Sequence, residues 1–173
     1  MDNNAILRSL RFALRLEDKD VARLFTLGGC VLTVEQAQAR MGREGEPDAI
    51  YCVDDALAAF LDGLVLDRRG PPPADRPAPP KVPLTNNEVL KKIRVALEMR
   101  EGDVVTALAL ADMRLSKGEV RALFRNPAHS NHRPAGDQLV RRFLRGLTLK
   151  LRPGVDGPRG GAQPRDRPRS SSS

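Results

Sequence analysis

The residues that could do chemistry in this chain are few, and most lie in its second half. The only two histidines, His129 and His132, stand in one polar loop. A His-x-x-His pair in a loop with no cysteine nearby makes a poor zinc site, so we predict no bound metal. The loop either packs against the helix that follows it or contacts a ligand. Its candidate ligand-contacting residues are His129, Asn131, Arg133, Asp137 and Gln138.

Motifs of common enzyme classes are missing from the sequence. It contains no glycine-rich phosphate loop, no Gly-x-Ser-x-Gly turn, no His-Glu-x-x-His and no Cys-x-x-Cys. We therefore predict no catalytic residue and no cofactor, and we favour a non-enzymatic protein.

Basic side chains form two groups. Lys117, Arg121 and Arg125 are spaced four residues apart, which places them on one face of a helix predicted over 116–125. With a helix predicted over 103–111, this segment has the proportions of a helix-turn-helix, a motif that places its second helix in a DNA groove. A solvated helix face is the plainer explanation. The second group lies on the last predicted helix and consists of Arg141, Arg142 and Arg145.

The elements that position these residues are written twice. Residues 86–97 repeat residues 3–14, both beginning with Asn-Asn, and the same offset holds to the end of the unit. A repeat must be found before the fold is read, because each copy is one structural unit. We predict two units, 1–66 and 84–151, joined by a proline-rich linker, 67–83. The remaining Arg/Pro/Ser tail, 152–173, is predicted to be disordered.

Each copy is predicted to form four helices. Apolar residues recur at helical spacing, and a Ser/Thr-x-x-Glu/Gln capping box precedes the third helix in both copies, at Thr33 and Ser116. The third helix of the first copy is expected to run to about Arg43. We predict an all-α fold of two four-helix units, each with a helix-turn-helix-like centre. Such small units are marginally stable alone, which favours docking about a pseudo-two-fold axis.

Several polar residues and one glycine recur in both copies. Asn3 or Asn4 is expected to cap the first helix, and Asp54 and Asp137 to cap the fourth. A glycine inside the fourth helix is expected to allow close approach of another backbone, because glycine disfavours helix. The recurring Arg and Asp of the first two helices are expected to form an ion pair in each copy. The glycines are Gly63 and Gly146, and the ion pairs are Arg11 with Asp20 and Arg94 with Asp103.

Charge is divided unequally between the copies. Residues 1–66 hold 7 Lys/Arg against 11 Asp/Glu, whereas residues 84–151 hold 13 against 7. No apolar run is long enough to span a bilayer, and the N-terminal residues do not resemble a signal peptide. The two cysteines, Cys30 and Cys52, both lie in the first copy, so they are expected to be reduced thiols. We expect a cytoplasmic protein without membrane contact.

Three functional classes remain open from these observations, and an enzyme is the least favoured of them. The first is a nucleic-acid-binding or regulatory protein that acts through the basic second copy and the arginine-containing tail. The second is a protein–protein interaction module with no nucleic-acid contact.

The recurring motifs resemble those of a known family. The doubled Asn-Asn-x-x-Leu motif, the Gly136-Asp137-Gln138 sequence, the helix that follows and the proline-rich spacer are similar to the bacterial YehS family. That family consists of tandem helical repeats of unknown function, and the resemblance covers 3–151, including the His129-x-Asn131-x-Arg133 loop. Ala135 stands where a cysteine is expected, which argues against thiol chemistry. The resemblance implies a helical fold and a cytoplasmic location, and it implies no activity.

Overall fold

The computed structural model of the chain describes residues 1–77 and 80–155. Within these ranges the secondary structure is helical and contains no strand, which confirms the predicted all-α class. Residues 156–173, which make up most of the predicted tail, lie outside the described residues. Repeat 1 forms α1 (Asn3–Ala13), α2 (Asp18–Leu27), α3 (Val34–Ala39) and α4 (Asp54–Arg69). Repeat 2 forms α5 (Asn86–Ala96), α6 (Glu101–Leu110), α7 (Lys117–Leu123) and α8 (Asp137–Leu151).

The two repeats dock about a pseudo-two-fold axis, as predicted. α1 packs on α8, and α4 packs on α5, so exchanging the repeats turns one contact into the other. Within each repeat the second helix packs on the fourth, as α2 on α4 and α6 on α8. One continuous apolar core runs through both repeats, and Phe25, Phe60 and Phe143 are among its largest side chains.

A glycine allows the close packing of the second and fourth helices in both repeats. A Cβ atom added to Gly63 would lie 1.8 Å from the carbonyl oxygen of Leu24 on α2. A Cβ atom on Gly146 would lie 1.6 Å from the carbonyl oxygen of Ala107 on α6. The predicted backbone approach is therefore confirmed at both positions.

The third helices begin as predicted but end earlier. Thr33 Oγ1 accepts a hydrogen bond from Gln36 N, and Ser116 Oγ accepts one from Glu119 N. The prediction that α3 reaches Arg43 is wrong, because the chain tightens into single turns after Ala39 and meets Gly42, a poor helix residue. The predicted helix over 116–125 also ends early, at Leu123.

The reason for the early end of α7 lies in the residues that follow it. Asn126 Oδ1 accepts a hydrogen bond from Ala128 N at 2.9 Å, which folds the chain into a side-chain-stabilised turn. Pro127 then provides no N–H for a continuing helix. Local turn chemistry therefore outweighs the apolar periodicity that extended the predicted helix.

The prediction that Asn3 or Asn4 caps α1 is wrong. Asp2 is the N-cap of α1, and its carboxylate accepts a hydrogen bond from Asn4 N. The side chains of Asn3 and Asn4 are buried and point instead at the loop before α4. Asn3 Nδ2 donates to Cys52 O at 2.8 Å, and Asn4 Oδ1 accepts from Cys52 N at 2.8 Å.

Repeat 2 forms the same contacts with its own asparagine pair. Asn86 Nδ2 donates to Ala135 O at 3.0 Å, and Asn87 Oδ1 accepts from Ala135 N at 2.8 Å. Asn87 Nδ2 also donates to Arg133 O, as Asn4 Nδ2 does to Ile50 O. We call this arrangement of two asparagines around one loop residue the asparagine clasp. It satisfies backbone groups of a loop that carries no regular structure.

Asp54 and Asp137 belong to the clasp and are not helix caps, contrary to the prediction. The N-caps of α4 and α8 are Val53 and Gly136, whose side chains make no capping hydrogen bond. Asp54 Oδ1 accepts from Asn3 Nδ2 at 2.8 Å, and Asp137 Oδ1 accepts from Asn86 Nδ2 at 2.9 Å. The amino group of Met1, followed by Asn86, lowers the pKa of Asp137 below its usual range.

The predicted ion pairs between the first and second helices of each repeat are also wrong. The two aspartates instead accept from the backbone N–H at the start of their own helices, Asp20 from Glu17 N and Asp103 from Arg100 N. A carboxylate three residues into a helix lies within reach of this unpaired donor, so the local contact forms. The two arginines have other partners: Arg11 pairs with Asp18, and Arg94 donates to Met99 O.

Two boundaries differ from those assigned from the sequence. α4 continues to Arg69, three residues into the segment assigned to the linker, and ends at Gly70, whose φ is 76°. Arg152, the first residue assigned to the tail, packs against α1. Its Nη1 donates to Phe12 O at 2.9 Å, and its guanidinium lies 4.0 Å from the centre of the Phe12 ring.

Candidate functional site

A groove of about 1220 Å³ lies on the seam between the repeats, along the line where α1 packs on α8. Its third wall is the segment 41–46, which follows α3. Both repeats contribute arginine side chains to its lining, so we call it the arginine groove. These arginines are Arg8, Arg11 and Arg43 from repeat 1 and Arg141, Arg142 and Arg145 from repeat 2.

Two of these arginines donate to backbone carbonyl groups. Arg8 Nη1 donates to Gly42 O at 2.7 Å and to Met41 O at 3.0 Å, which ties α1 to the third wall. Arg142 Nη1 donates to Ala111 O at 3.0 Å, at the end of α6. Each of these guanidinium groups compensates a carbonyl that its helix or loop leaves unpaired.

Arg11 is neutralised inside the groove by Asp18. The Nε of Arg11 lies 2.7 Å from Asp18 Oδ1, and Gln38 Nε2 donates to Asp18 Oδ2 at 2.7 Å. The hydrogen bond from Gln38, followed by the contact with Arg11, lowers the pKa of Asp18. The carboxylate is therefore ionised at neutral pH, and this pair adds little net charge to the groove.

The other three arginines have no such engagement. The side chains of Arg43, Arg141 and Arg145 are exposed, and they make no hydrogen bond or ion pair with the described residues. Arg141 and Arg145 are one helical turn apart, so they share a face of α8. These three guanidinium groups can each offer planar, two-pronged donors to an oxyanion.

The acidic residues of the groove do not cancel this excess. Asp2 is the cap of α1 and lies 3.8 Å from Arg8, and Glu46 Oε2 accepts from Arg43 N at 2.9 Å. Glu44 is the remaining acidic residue of the lining without a partner among the described residues. Apolar side chains complete the groove, namely Phe12, Met41 and Leu144.

The pseudo-symmetric position on the other seam has different chemistry. Residues of α8 and α4 correspond at an offset of 83, so Ala58, Ala59 and Asp62 replace the three α8 arginines. Asp62 forms an ion pair with Lys92 across the α4–α5 contact. That seam is closed by paired charges, whereas the α1–α8 seam carries unpaired cations.

The predicted helix-turn-helix surface is not assembled as the sequence indicated. Lys117 is exposed on α7, but Arg125 lies beyond the end of that helix. Arg121 donates through Nε and Nη2 to the two carboxylate oxygens of Glu101, both at 3.0 Å. This contact lowers the pKa of Glu101 and occupies Arg121, so the continuous basic stripe is absent from the described chain.

The predicted polar loop is divided among separate tasks. Asn131 N donates to His129 Nδ1 at 3.0 Å within the loop, and Arg133 pairs with Glu119 at 3.1 Å. Asp137 belongs to the asparagine clasp, and Gln138 lines the arginine groove. The structure therefore joins Gln138 to the α8 arginines and separates it from the histidine loop.

Other chemistries find little support in the part of the chain described. No three His, Cys, Asp or Glu side chains come together there as metal ligands. Cys30 and Cys52 are free, and burial raises the pKa of Cys52 to about 12, so its thiol stays protonated. Among the described helices, none combines the length and apolarity that crossing a bilayer requires.

Sequence reasoning found the α8 arginines but missed Arg43. The α8 group is visible in the sequence as three arginines within five residues of the last predicted helix. Arg43 carries no such signal, because its place in the groove depends on how repeat 1 docks on repeat 2.

Comparison with known proteins finds the same repeat. The family model described as "Protein of unknown function (DUF1456)" matches residues 3–70 and again 86–153. The uncharacterized protein YehS of Escherichia coli (strain K12) is 37% identical over 150 residues, which cover 87% of this chain and 96% of that protein. No solved structure gives a significant match. With two copies of the family unit over most of its length, this chain belongs to the DUF1456 family.

Proposed function

We propose that this protein binds nucleic acid through the arginine groove. The observation that carries the proposal is the convergence of three exposed, unpaired arginines from both repeats on one groove, namely Arg43, Arg141 and Arg145. Arginine donates to phosphate in a planar, two-pronged geometry that lysine does not match.

The spacing and the surroundings of these arginines favour a repeating anion. Arg141 and Arg145 lie one turn apart on α8, at about 6 Å, so one chain of phosphates can meet both. Gln138 adds an uncharged donor and acceptor on the same helix. The partly exposed side chains of Phe12 and Met41 give the bases of a nucleic acid an apolar surface to contact.

The charge of repeat 2 supports the same ligand. Its excess of basic residues attracts polyanions over a distance of about a Debye length and raises the rate of encounter. The basic side chains of α7 contribute to this field even though Arg121 is paired. The groove is where we propose that the encounter becomes a bound complex.

Fluorescence anisotropy with labelled nucleic acid over a range of salt concentrations tests this proposal. Replacing Arg141 and Arg145 by alanine removes two phosphate contacts and lowers the slope of log affinity against log salt by roughly 1.4 for a single strand or 1.8 for a duplex. The matched control replaces Arg114 and Lys117, two exposed cations of repeat 2 outside the groove lining.

The control variant loses the same charge but keeps the groove arginines. We therefore expect only a small change in its affinity and an unchanged salt slope. Circular dichroism of both variants verifies that the helical fold is kept. Binding by the groove variant that equals that of the parent at every salt concentration would refute the proposal, and so would the absence of any salt-dependent binding by the parent.

A protein–protein interaction module is the second candidate function. The observation in its favour is the loop before α4, where Ile50, Tyr51 and Val53 are exposed apolar side chains. At the equivalent positions repeat 2 has Arg133, Pro134 and Gly136. A loop of three apolar residues does not select a class of partner, so we rank this candidate second.

A further inference from the structure

We infer that the arginine groove accepts a single strand of nucleic acid and excludes the double helix. This inference rests on the proposed function and specifies its ligand. The observation behind it is the placement of the unpaired arginines inside a concave seam, while Arg121 of α7 is paired with Glu101 on α6.

The shape of the groove favours a single strand over a duplex. Reading base edges in the major groove of a duplex requires an element that protrudes into a groove about 12 Å wide. Arg43, Arg141 and Arg145 instead line a concavity walled by α1, α8 and the segment 41–46. A volume of about 1220 Å³ slightly exceeds that of pockets for drug-sized ligands, so it admits a few nucleotides of one strand.

The pairing of Arg121 makes α7 poorly suited to binding a duplex. This helix has only 7 residues, and Arg121 is held against α6 by both carboxylate oxygens of Glu101. Releasing Arg121 for a phosphate would leave the Glu101 carboxylate without its partner. The helix-turn-helix of repeat 2 therefore presents only Lys117 as an uncommitted cation on α7.

The lining of the groove also favours a single strand. Proteins that bind single strands combine a cationic groove for the backbone with planar groups on which unstacked bases lie. Guanidinium planes serve this purpose as well as aromatic rings. Arg152 stacks on Phe12 at 4.0 Å, so a guanidinium–ring stack already exists on a residue of the groove lining.

A competition experiment with the full-length protein tests the inference. The labelled probe is a mixed-sequence single strand of about eight nucleotides, within the range of known single-strand site sizes. The unlabelled competitors are the same strand, its blunt duplex and tripolyphosphate. We expect the single strand to compete at least about tenfold better than the duplex, a difference equivalent to roughly one stacked base.

Variants assign the preference to the groove. Replacing Arg43, Arg141 and Arg145 by alanine is expected to weaken single-strand binding at least about tenfold and to leave weak duplex binding nearly unchanged. Replacing Arg114 and Lys117 is expected to spare single-strand binding.

The possible results separate this inference from the proposed function. Equal competition by duplex and single strand, with both weakened by the groove variant, would overturn the inference and leave the proposed function standing. Competition by tripolyphosphate as strong as that by the single strand would overturn it in favour of a site for small anions. A parent protein that binds neither form of nucleic acid would refute both proposals.

Discussion

Repeat 1 and repeat 2 have the same fold-forming contacts but different charges on the seam between them. Both use an asparagine clasp to hold the loop before the fourth helix, and both use a helix glycine against a carbonyl oxygen. At the seam, α4 carries Ala58 and Asp62 where α8 carries Arg141 and Arg145. The contacts that recur build the unit, whereas the unpaired arginines that α8 gives to the candidate site stand at positions that differ between the repeats.

One further pair of contacts follows the same rule. Asp18 in repeat 1 and Glu101 in repeat 2 are equivalent positions, and each accepts hydrogen bonds from the third helix of its repeat. The donor is the neutral Gln38 in repeat 1 and the cationic Arg121 in repeat 2. The basic character of α7 therefore arises partly from a structural contact whose chemistry changed between copies.

The largest expected effect concerns the shared glycines. Gly146→Ala places a Cβ atom on the carbonyl of Ala107, and neither backbone can yield without moving its helix. We expect a loss of about 3 kcal/mol in the free energy of unfolding, at the upper end for overpacked cores. Denaturant titration measures this value, with Gly102→Ala as the control.

Gly102 lies in α6, and no atom stands within 4 Å of an added Cβ. Its replacement by alanine is expected to stabilise the protein by about 0.5–1 kcal/mol, through helix propensity and reduced freedom of the unfolded chain. If Gly146→Ala unfolds at the same denaturant concentration as the parent, the close packing of α6 on α8 is refuted.

The asparagine clasp should contribute more to stability in repeat 1 than in repeat 2. Asn4 is buried, whereas Asn87 is only partly buried, so water can replace more of its hydrogen bonds. Asn4→Ala leaves the N–H of Cys52 unpaired, and we expect a loss of about 2–3 kcal/mol. For Asn87→Ala we expect about 1 kcal/mol by the same measurement. A larger loss for Asn87→Ala than for Asn4→Ala would contradict this ordering.

The ion pair that closes the α4–α5 seam is expected to contribute modestly. Lys92 and Asp62 are both partly exposed, so Asp62→Ala should lower the free energy of unfolding by about 0.5–1 kcal/mol. The equivalent change on the other seam, Arg145→Ala, removes no partner and should change stability by less than about 0.5 kcal/mol. Thermal melts at low and high salt compare the two, and equal losses would argue against the different roles of the seams.

A small effect is also expected on the pH dependence of stability, through Asp18 in the groove. The pKa of Asp18 is lower in the folded protein than in the unfolded chain, so its contribution is present above the unfolded pKa. The contribution is lost as the pH falls through the folded pKa. Asp18→Asn should therefore flatten the decline in stability below about pH 5, by less than about 1 kcal/mol because the carboxylate is partly exposed. An unchanged pH profile would show that the Asp18 contacts add no stability.

The architecture could be predicted from the sequence because the internal repeat shows directly where each four-helix unit begins and ends. The offset of 83 fixed the four-helix unit, and the capping boxes at Thr33 and Ser116 fixed the starts of the third helices. Gly63 and Gly146 predicted a close backbone contact because glycine in a helix needs a reason. These signals depend on residues close together in the sequence, and they are present in both repeats.

The recurring polar residues were harder to interpret, because their partners are distant in the sequence. Asn3 bonds to Cys52 and Asp54, about fifty positions away, so the pattern Asn-Asn looked like a helix cap. The prediction for Asp20 and Asp103 was wrong for another reason. Each carboxylate accepts a local hydrogen bond at the start of its own helix, and Asp103 pairs with the distant Lys150 rather than with Arg94. Recurrence identified these residues as important but did not identify the atoms they bind.

Only part of the candidate site could be predicted from the sequence. Arg141, Arg142 and Arg145 form a visible basic cluster in the sequence, but the groove exists only after α1 docks on α8. Arg121 shows the opposite outcome. The sequence suggested that this residue contacts nucleic acid, but its guanidinium is paired with Glu101.

The most direct test of the account gives α8 the residues of α4. Arg141→Ala with Arg145→Asp reproduces the counterparts of repeat 1, and Arg114→Ala with Lys117→Asp makes the same change in charge outside the groove. The measurement is the Kd of each variant for a single-stranded oligonucleotide at one fixed salt concentration. We predict roughly 100-fold weaker binding for the α8 variant, about two charge-assisted contacts, and less than about threefold for the control. Equal losses in the two variants would contradict the account, because affinity would then follow total charge rather than the groove.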